Sequence, residues 1–288
     1  MRSSIPNAST RRVSVLRDFL SAVLAVVFPT ECALCGDELA GGARQRICGN
    51  CWASLQPWIG PLCTTCGLPF ASPRALDSSD PECGACRENK AAFDGARSFG
   101  IYSGKLRQVV LRAKFSQDER LGARLGELLA LTWVSLPKMC ESPLIVPIPL
   151  HRSRRRERGF NQAEQLAFGL VRALRRQQGA AVPQVEKSCL RRKRATPPQT
   201  GLSASARREN LRGAFEVIAL GQVRGRGVVL IDDVMTTGAT LSECARVLKR
   251  AGAAQVLGLT LARATPQFPD LMPNDRDNTV DEFGRDWR

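Results

Sequence analysis

Residues 228–240 constrain the fold of this chain more than any other stretch, reading Val-Val-Leu-Ile-Asp-Asp-Val-Met-Thr-Thr-Gly-Ala-Thr. Four apolar residues without alternation suit a strand buried on both faces, the condition of a parallel sheet covered by helices. Two acids stand where that strand should end, at the sheet edge where open α/β folds bind their ligands. The small, hydroxyl-rich run Thr236, Thr237, Gly238, Ala239 and Thr240 can turn sharply, gather backbone N–H groups and lead into a helix N-terminus. Each of those properties favours an anion.

Two carboxylates beside a phosphate require something positive or hydroxylated between them. A phosphorylated sugar carrying a divalent cation meets that requirement. An Asp-Asp strand end also occurs in the magnesium-binding half of P-loop proteins, but no Gly-x-x-x-x-Gly-Lys-Ser/Thr partner is present in this sequence. The stretch resembles the ribose-phosphate fingerprint of type I phosphoribosyltransferases. That resemblance implies that Asp232 and Asp233 hold the ribose hydroxyls of magnesium-bound phosphoribosyl pyrophosphate, while Thr236, Thr237, Gly238, Ala239 and Thr240 wrap its 5′-phosphate. The segment that follows is expected to be a helix with Thr240 and Glu243 as a capping box, Leu241, Cys244, Ala245 and Leu248 inward, and Gly252 as its end. A strand over residues 256–262 would complete a right-handed parallel unit.

Eight of the eleven cysteines fall into four Cys-x-x-Cys pairs, Cys32/Cys35, Cys48/Cys51, Cys63/Cys66 and Cys83/Cys86. A finer pattern repeats: a Cys-x-x-Cys-Gly pair opens each half and a Cys-Gly-x-Cys or Cys-Gly-Ala-Cys pair closes it, which marks an internal duplication. Each half supplies four thiolates at about the spacing of a tetrahedral zinc site. The expected grouping is Cys32, Cys35, Cys48 and Cys51 on one ion and Cys63, Cys66, Cys83 and Cys86 on the other, an interleaved arrangement being the alternative. Sites closed by four thiolates leave no position for water, so these two zinc ions would fold a ribbon domain over residues 31–92 rather than catalyse. Such spacing suits metal better than disulfides and points to a reducing cytoplasm. Cys140, Cys189 and Cys244 read as core or incidental thiols.

The 288 residues include 42 Lys and Arg against 27 Asp and Glu, and this excess of +15 favours an anionic partner such as nucleic acid or a polyphosphate. A hydrophobic fraction of 43% excludes disorder throughout. Arg11, Arg12 and Arg17 precede an apolar run over residues 19–28, as in a secretory signal, but no small-x-small cleavage site follows and ten residues are too few to span a bilayer. Val13, Leu16, Leu20, Val23, Leu24 and Val27 recur at helical spacing, so residues 1–30 are expected to form an amphipathic helix packed on the next domain, with weak membrane-surface contact left open.

Residues 93–263 are expected to form one α/β domain. Residues 96–102 read as a strand, and residues 104–115 and 121–134 as helices, with Lys114 either a solvated helix-end lysine or a phosphate contact. Residues 144–150, Leu-Ile-Val-Pro-Ile-Pro-Leu, read as a strand that loses its pairing near Pro147. Next come His-Arg-Ser-Arg-Arg-Arg-Glu-Arg-Gly, residues 151–159, read as a cationic loop, then a helix capped by Asn161. Arginines feeding a helix N-terminus make a second anion site, which pyrophosphate would fit through Arg152, Arg155 and Arg158; a solvated basic loop is the plainer reading. His151, the sole histidine, could move a proton, contact pyrophosphate or serve only as a loop residue. Between residues 151 and 213 stand 16 Lys and Arg against four Glu, so most of the excess charge lies here. Residues 190–201 read as a mobile loop.

Taken together, the four Cys-x-x-Cys pairs, Val146-Pro-Ile-Pro-Leu-His151, Arg158-Gly-Phe-Asn-Gln162, Pro198-Gln-Thr-Gly-Leu202, Asn210-Leu-Arg-Gly213 and the Asp232-Asp233 stretch resemble the ComF family. The resemblance spans about residues 16–263 and leaves an acidic tail, 264–288, that reads as disordered. It implies a double zinc ribbon joined to a type I phosphoribosyltransferase-like domain with a mainly parallel sheet, and a link to DNA uptake or the use of external DNA. Two functions follow as expectations. One is a phosphoribosyltransferase with an unidentified acceptor, in which Asp232, Asp233, Arg158 and His151 form the catalytic set. The other is a non-catalytic protein that binds single-stranded DNA or a DNA-uptake machine and uses the ribose-phosphate site as a sensor.

Overall fold

The computed structural model describes residues 31–39, 47–71, 80–115, 118–139, 143–178, 183–196 and 203–265. The amphipathic helix expected over residues 1–30, nearly all of the tail, Cys140, and the Pro-Gln-Thr-Gly-Leu segment lie outside the described residues. Two compact units are present, Met1–Leu55 and Gln56–Arg288. This division falls between the two cysteine quartets, inside the span read from the sequence as one ribbon domain.

Both units repeat one small motif. In the first, an antiparallel bridge joins Glu31 and Glu38, Gly36 turns left-handed at φ 78, and a short helix α1 (Gly49–Ala53) starts at Cys48. In the second, the bridge joins Leu62 and Pro69, Gly67 turns left-handed at φ 63, and helix α2 (Gly84–Glu88) starts at Cys83. The duplicated sequence therefore folds into duplicated structure.

The second unit is built on a five-stranded, wholly parallel sheet. Its strands are β1 (Gly95–Ile101), β2 (Leu144–Pro147), β3 (Gln184–Val185), β6 (Gly227–Met235) and β7 (Gln255–Arg263), in the spatial order β1-β7-β6-β2-β3. A separate antiparallel pair joins β4 (Leu190–Arg192) to β5 (Phe215–Val217), so part of the segment read as a mobile loop is strand. A residue such as Leu190, 3% exposed, holds it to the core where periodicity over so short a run says nothing.

Helices supply the crossovers: α3 (Gly104–Phe115), α4 (Glu119–Trp133), α5 (Arg152–Arg158), α6 (Gln162–Gln178), α7 (Ala204–Leu211), α8 (Leu220–Val223) and α9 (Ala239–Arg250). Asn161 caps α6 as expected, its Oδ1 accepting from the Ala163 N–H at 3.2 Å. Helices α4 and α6 meet at Gly126 and Gly169, where a Cβ on Gly169 would lie 1.9 Å from the Ala123 carbonyl oxygen. That approach requires glycine. Among the described residues no helix is long and apolar enough to cross a membrane.

Two expectations are corrected. Residues 152–158 are helix α5 rather than a loop, because His151 caps the segment and Gly159, at φ 78, ends it. The capping box is absent from α9: Gly238 is the N-cap with no side-chain hydrogen bond, and Glu243 instead accepts from the Gly213 N–H at 2.6 Å and pairs with Arg246 at 2.5 Å.

All four cysteines of the second quartet belong to the same buried cluster as Val146, Leu230, Met235 and Leu241. The loop at Gly67 packs on β1, with the Ala96 N–H donating to the Thr65 carbonyl at 2.8 Å and the Arg97 guanidinium to the Thr64 carbonyl at 2.9 Å. The second ribbon is thus part of the α/β core. Cys83→Ser should lower the calorimetric melting temperature of the second unit by roughly 10 °C or more. Cys35→Ser should leave that transition in place, and equal shifts from both would contradict the division.

Candidate functional site

Strand β6 places the acid pair. Its first five residues are buried and the next three, Asp232, Asp233 and Val234, are partly open. The cause lies in its neighbour: β2 pairs with β6 only as far as Pro147 opposite Ile231, and the last bond across is the Ile148 N–H to the Ile231 carbonyl at 2.9 Å. Pro147 and Pro149 bring no N–H to extend the ladder. β7 continues on the other side, with Thr260 opposite Asp232. The acids therefore emerge into a gap between two central strands. From β2 the chain runs through α6 to β3 on one flank; from β6 it runs through α9 to β7 on the other. That reversal is the switch point at which open α/β sheets hold ligands.

Around this gap the charges are arranged closely. Asp233 Oδ2 meets Lys114 Nζ at 3.0 Å, and the Asp233 N–H donates to Asp232 Oδ1 at 2.9 Å. Burial, with the adjacent Asp233 charge, pushes the Asp232 carboxyl up to about 7. Burial works against charged Lys114, yet the charges of Asp233, Tyr102 and Asp232 and its hydrogen bond to Asp233 outweigh it, so Lys114 is held above the ordinary lysine value. The Tyr102 hydroxyl is raised by burial first, and further by Asp233, against the cations Lys114 and Arg107.

Beyond Met235 the chain turns through exposed Thr236 and Thr237 into buried Gly238 and Ala239 and partly open Thr240. Gly238 adopts φ +77, a left-handed conformation that favours glycine. Thr237 Oγ1 accepts from the Ala239 N–H at 3.4 Å. The N-cap residue Gly238 itself offers no side chain to α9, whose N-terminus opens at the same sheet edge as the acids.

The basic segment is only partly convergent on this place. A cleft of about 300 Å³ is lined by Lys114, Phe115, Arg154, Glu157 and Arg158, so Arg158 shares a cavity with the partner of Asp233. Arg155 instead grips Glu164 through two hydrogen bonds of 3.0 and 3.3 Å, tying α5 to the start of α6. Arg152 is exposed and does not line the cleft. The His151 ring caps α5, with Nδ1 accepting from the Ser153 N–H at 3.3 Å and lying 2.8 Å from its hydroxyl.

Three contributors were not singled out from sequence. Arg154 stands one position from the expected arginines, and a run of like residues does not reveal which one faces inward. Arg192 stacks on Phe215 at 5.4 Å and its charge acts on Asp232, which β4 makes possible. Tyr102 follows β1 directly, and only the fold brings it to Lys114.

The two cysteine quartets suit tetrahedral metal. In each, Cys32, Cys35, Cys48 and Cys51 or Cys63, Cys66, Cys83 and Cys86, the four sulfurs lie within 4.8 Å of one another, in the sequential grouping rather than an interleaved one. Backbone N–H groups converge on them: Cys48 on Cys32 Sγ at 3.3 Å, and Cys66 and Cys83 on Cys63 Sγ at 3.5 and 3.3 Å. The donor set is that of structural zinc, which would supply cross-linking only.

The pH dependence of the acid pair can be measured directly. Because the folded Asp232 holds its proton to about 7 and an unfolded aspartate only to about 3.9, stability falls as pH rises between those values. Asp232→Asn should therefore be more stable than the wild type in urea at pH 8, by on the order of 2 kcal/mol, with the difference vanishing near pH 4. A difference of equal size at both pH values would contradict it.

The families matched agree with this architecture. The double zinc ribbon domain matches residues 23–89 and the phosphoribosyl transferase domain residues 158–270. The DNA utilization protein YhgH of Escherichia coli O157:H7 is 34% identical over 82% of this chain and 97% of its own length. Competence protein F of Haemophilus influenzae is 30% identical over 77% of this chain and 92% of its own. Competence protein ComFC of Bacillus subtilis is 28% identical over 76% and 85%. With this coverage of both modules, the chain belongs to the ComF family of double zinc ribbon and phosphoribosyltransferase-domain proteins.

Proposed function

We propose that the protein binds phosphoribosyl pyrophosphate with magnesium at the end of β6 and serves in the handling of external DNA. The observation that carries the reading is the gap beside β2, where an acid pair, a helix N-terminus entered through a left-handed glycine, and a cleft lined by Lys114, Arg154 and Arg158 come together. Asp232 and Asp233 would accept hydrogen bonds from the ribose hydroxyls, and the loop Thr236, Thr237, Gly238, Ala239 and Thr240 would wrap the 5′-phosphate. Arg154, Arg158 and Lys114 would face the pyrophosphate, with Arg152 at the rim and Arg155 holding α5 in place through Glu164. The names of the relatives, DNA utilization and competence proteins, support the biological setting. The described cysteines are all free, which fits a reducing compartment such as the cytoplasm.

If the site turns over, the bond from ribose C1 to the pyrophosphate oxygen breaks, pyrophosphate leaves with the electron pair, and a nucleophile bonds to the oxocarbenium-like carbon. Magnesium bound to the pyrophosphate would neutralise the departing charge. The chain's own part is positioning and charge stabilisation, with Asp232 and Asp233 orienting the ribose and the arginines holding the leaving group. With Nδ1 accepting from the Ser153 N–H, the neutral His151 ring carries its proton on Nε2, which can donate it. The second reading, a sensor that binds single-stranded DNA without turnover, draws on the 16 Lys and Arg between residues 151 and 213.

Titrating magnesium and phosphoribosyl pyrophosphate by calorimetry into the wild type and an Asp232→Asn, Asp233→Asn double variant tests the grip. Affinity should fall about 100-fold in the variant, from the loss of two charge-assisted contacts, and wild-type affinity should rise from pH 6 to pH 8 as Asp232 ionises. Unchanged affinity would sink the ribose grip. Pyrophosphate release on adding ammonia, a nucleobase or single-stranded DNA supports the transferase; salt-sensitive DNA binding without release supports the sensor.

A further inference from the structure

Arg263 ends β7 directly opposite Met235, the last residue of β6, and is only 5% exposed. Burying a guanidinium without compensation costs several kcal/mol, so its partners are informative. Among the described residues no carboxylate pairs with it. Its Nη1 donates to the Met235 carbonyl at 2.9 Å, to the Thr236 carbonyl, and more weakly to the Ala264 carbonyl at 3.4 Å. Its Nη2 faces Cys66 Sγ at 3.8 Å. One planar side chain thus spans from a sulfur of the second quartet to the first turn of the anion loop.

Both ends of that span matter physically. Four thiolates on one divalent ion keep a net negative charge, so the quartet itself provides the anion that the buried arginine lacks. Arg97 faces the same quartet, its guanidinium held to Thr64 and Ala96 carbonyls, and the charges of Cys63 and Cys66 oppose the effect of burial on it. Among the described residues, the hydrogen bonds of the Arg97 guanidinium go to the Thr64 and Ala96 carbonyls and not to the loop. At the other end, a trans peptide directs its N–H away from its C=O. Drawing the Met235 and Thr236 carbonyls toward Arg263 therefore turns the N–H groups of Thr236 and Thr237 to the opposite side, where an anion can meet them. No carboxylate could perform this task, and neither could a lysine, whose single ammonium cannot reach two carbonyls and a sulfur in one plane.

We infer that Arg263 is a positioning residue through which the second cysteine quartet holds the anion loop in its binding shape. The inference deepens the ribose-phosphate reading above and rests on it for the identity of the ligand. It makes the second ribbon part of the binding site's support and gives a chemical reason for a structural metal beside a phosphate loop.

Three full-length variants, Arg263→Gln, Arg263→Lys and Arg97→Gln, test it together. Amide exchange is followed by NMR without ligand at Ala264 and Ser242, whose N–H groups donate to the Met235 and Gly238 carbonyls, with Val229 reporting global opening. Arg263→Gln should exchange at least tenfold faster at Ala264 and Ser242 than the wild type, with Val229 unchanged, wild-type zinc content, and at least tenfold weaker affinity for magnesium phosphoribosyl pyrophosphate. Arg263→Lys should lie between, and Arg97→Gln should match the wild type at both loop amides. Unchanged exchange in Arg263→Gln, or equal effects from Arg97→Gln, overturns the inference. So does loss of zinc or fold in Arg263→Lys, which keeps the charge, because the arginine would then be a scaffold residue. A wild type that fails to bind phosphoribosyl pyrophosphate sinks the ligand reading alone, since the exchange experiment contains no ligand.

Discussion

The end of pairing between β2 and β6 at Pro147 and Ile231 is the constraint on which the site depends. Up to that rung the sheet is closed, and Val228, Val229, Leu230 and Ile231 are essentially inaccessible to water. One residue further, a strand that would otherwise bury two carboxylates beside each other is open on one flank. An acid pair in the closed part of the sheet would face a desolvation penalty of several kcal/mol per charge. At the gap it is met by Lys114, whose Nζ lies 3.0 Å from Asp233 Oδ2. The prolines that stop β2 thus decide where the acids of β6 open: the strand itself runs on to Met235 beside β7, and only the β2 flank is left free.

The fold was legible in sequence where one residue type has one physical solution. A run of four apolar residues followed by two acids, a left-handed glycine between threonines, and an Asn ahead of a 3.6-residue repeat each leave few alternatives. The acid pair, the loop and the Asn161 cap follow from such local rules, as does the strand that fails at Pro147. The cysteine duplication was legible for the same reason, because thiolates at fixed spacing must converge or remain idle.

What could not be read depends on partners distant in sequence. Glu243 has the spacing of a capping-box glutamate, but Gly238 supplies the helix start and the carboxylate is drawn to the Gly213 N–H and Arg246. The arginine run between residues 152 and 158 looked like a solvated loop because like charges repel. His151 and Gly159 cap it into a helix, and helical geometry then sends Arg155 to Glu164 and Arg154 and Arg158 to the cleft. Lys114 looked like an ordinary helix-end lysine until the fold brought it to Asp233. In each case the residue type was informative and the choice of partner was not, since choosing needs three-dimensional distances.

The two ribbons show how far context can separate identical motifs. Each quartet has the same spacing rule, the same left-handed glycine and the same helix start after its third cysteine. In the first, Cys35 is exposed and Cys48 partly so; in the second, all four cysteines are buried. The difference arises from what surrounds the sulfurs. Gly67 lies so close to β1 that a Cβ would stand 2.5 Å from the Ala96 carbonyl oxygen, whereas a Cβ on Gly36 would meet nothing within 4 Å. The two copies of the motif are therefore embedded unequally. One copy is wet and belongs to its own unit. The other has been absorbed into the α/β core, where buried Arg263 and half-buried Arg97 lie beside its sulfurs and it shares one hydrophobic cluster with the sheet that carries Asp232 and Asp233.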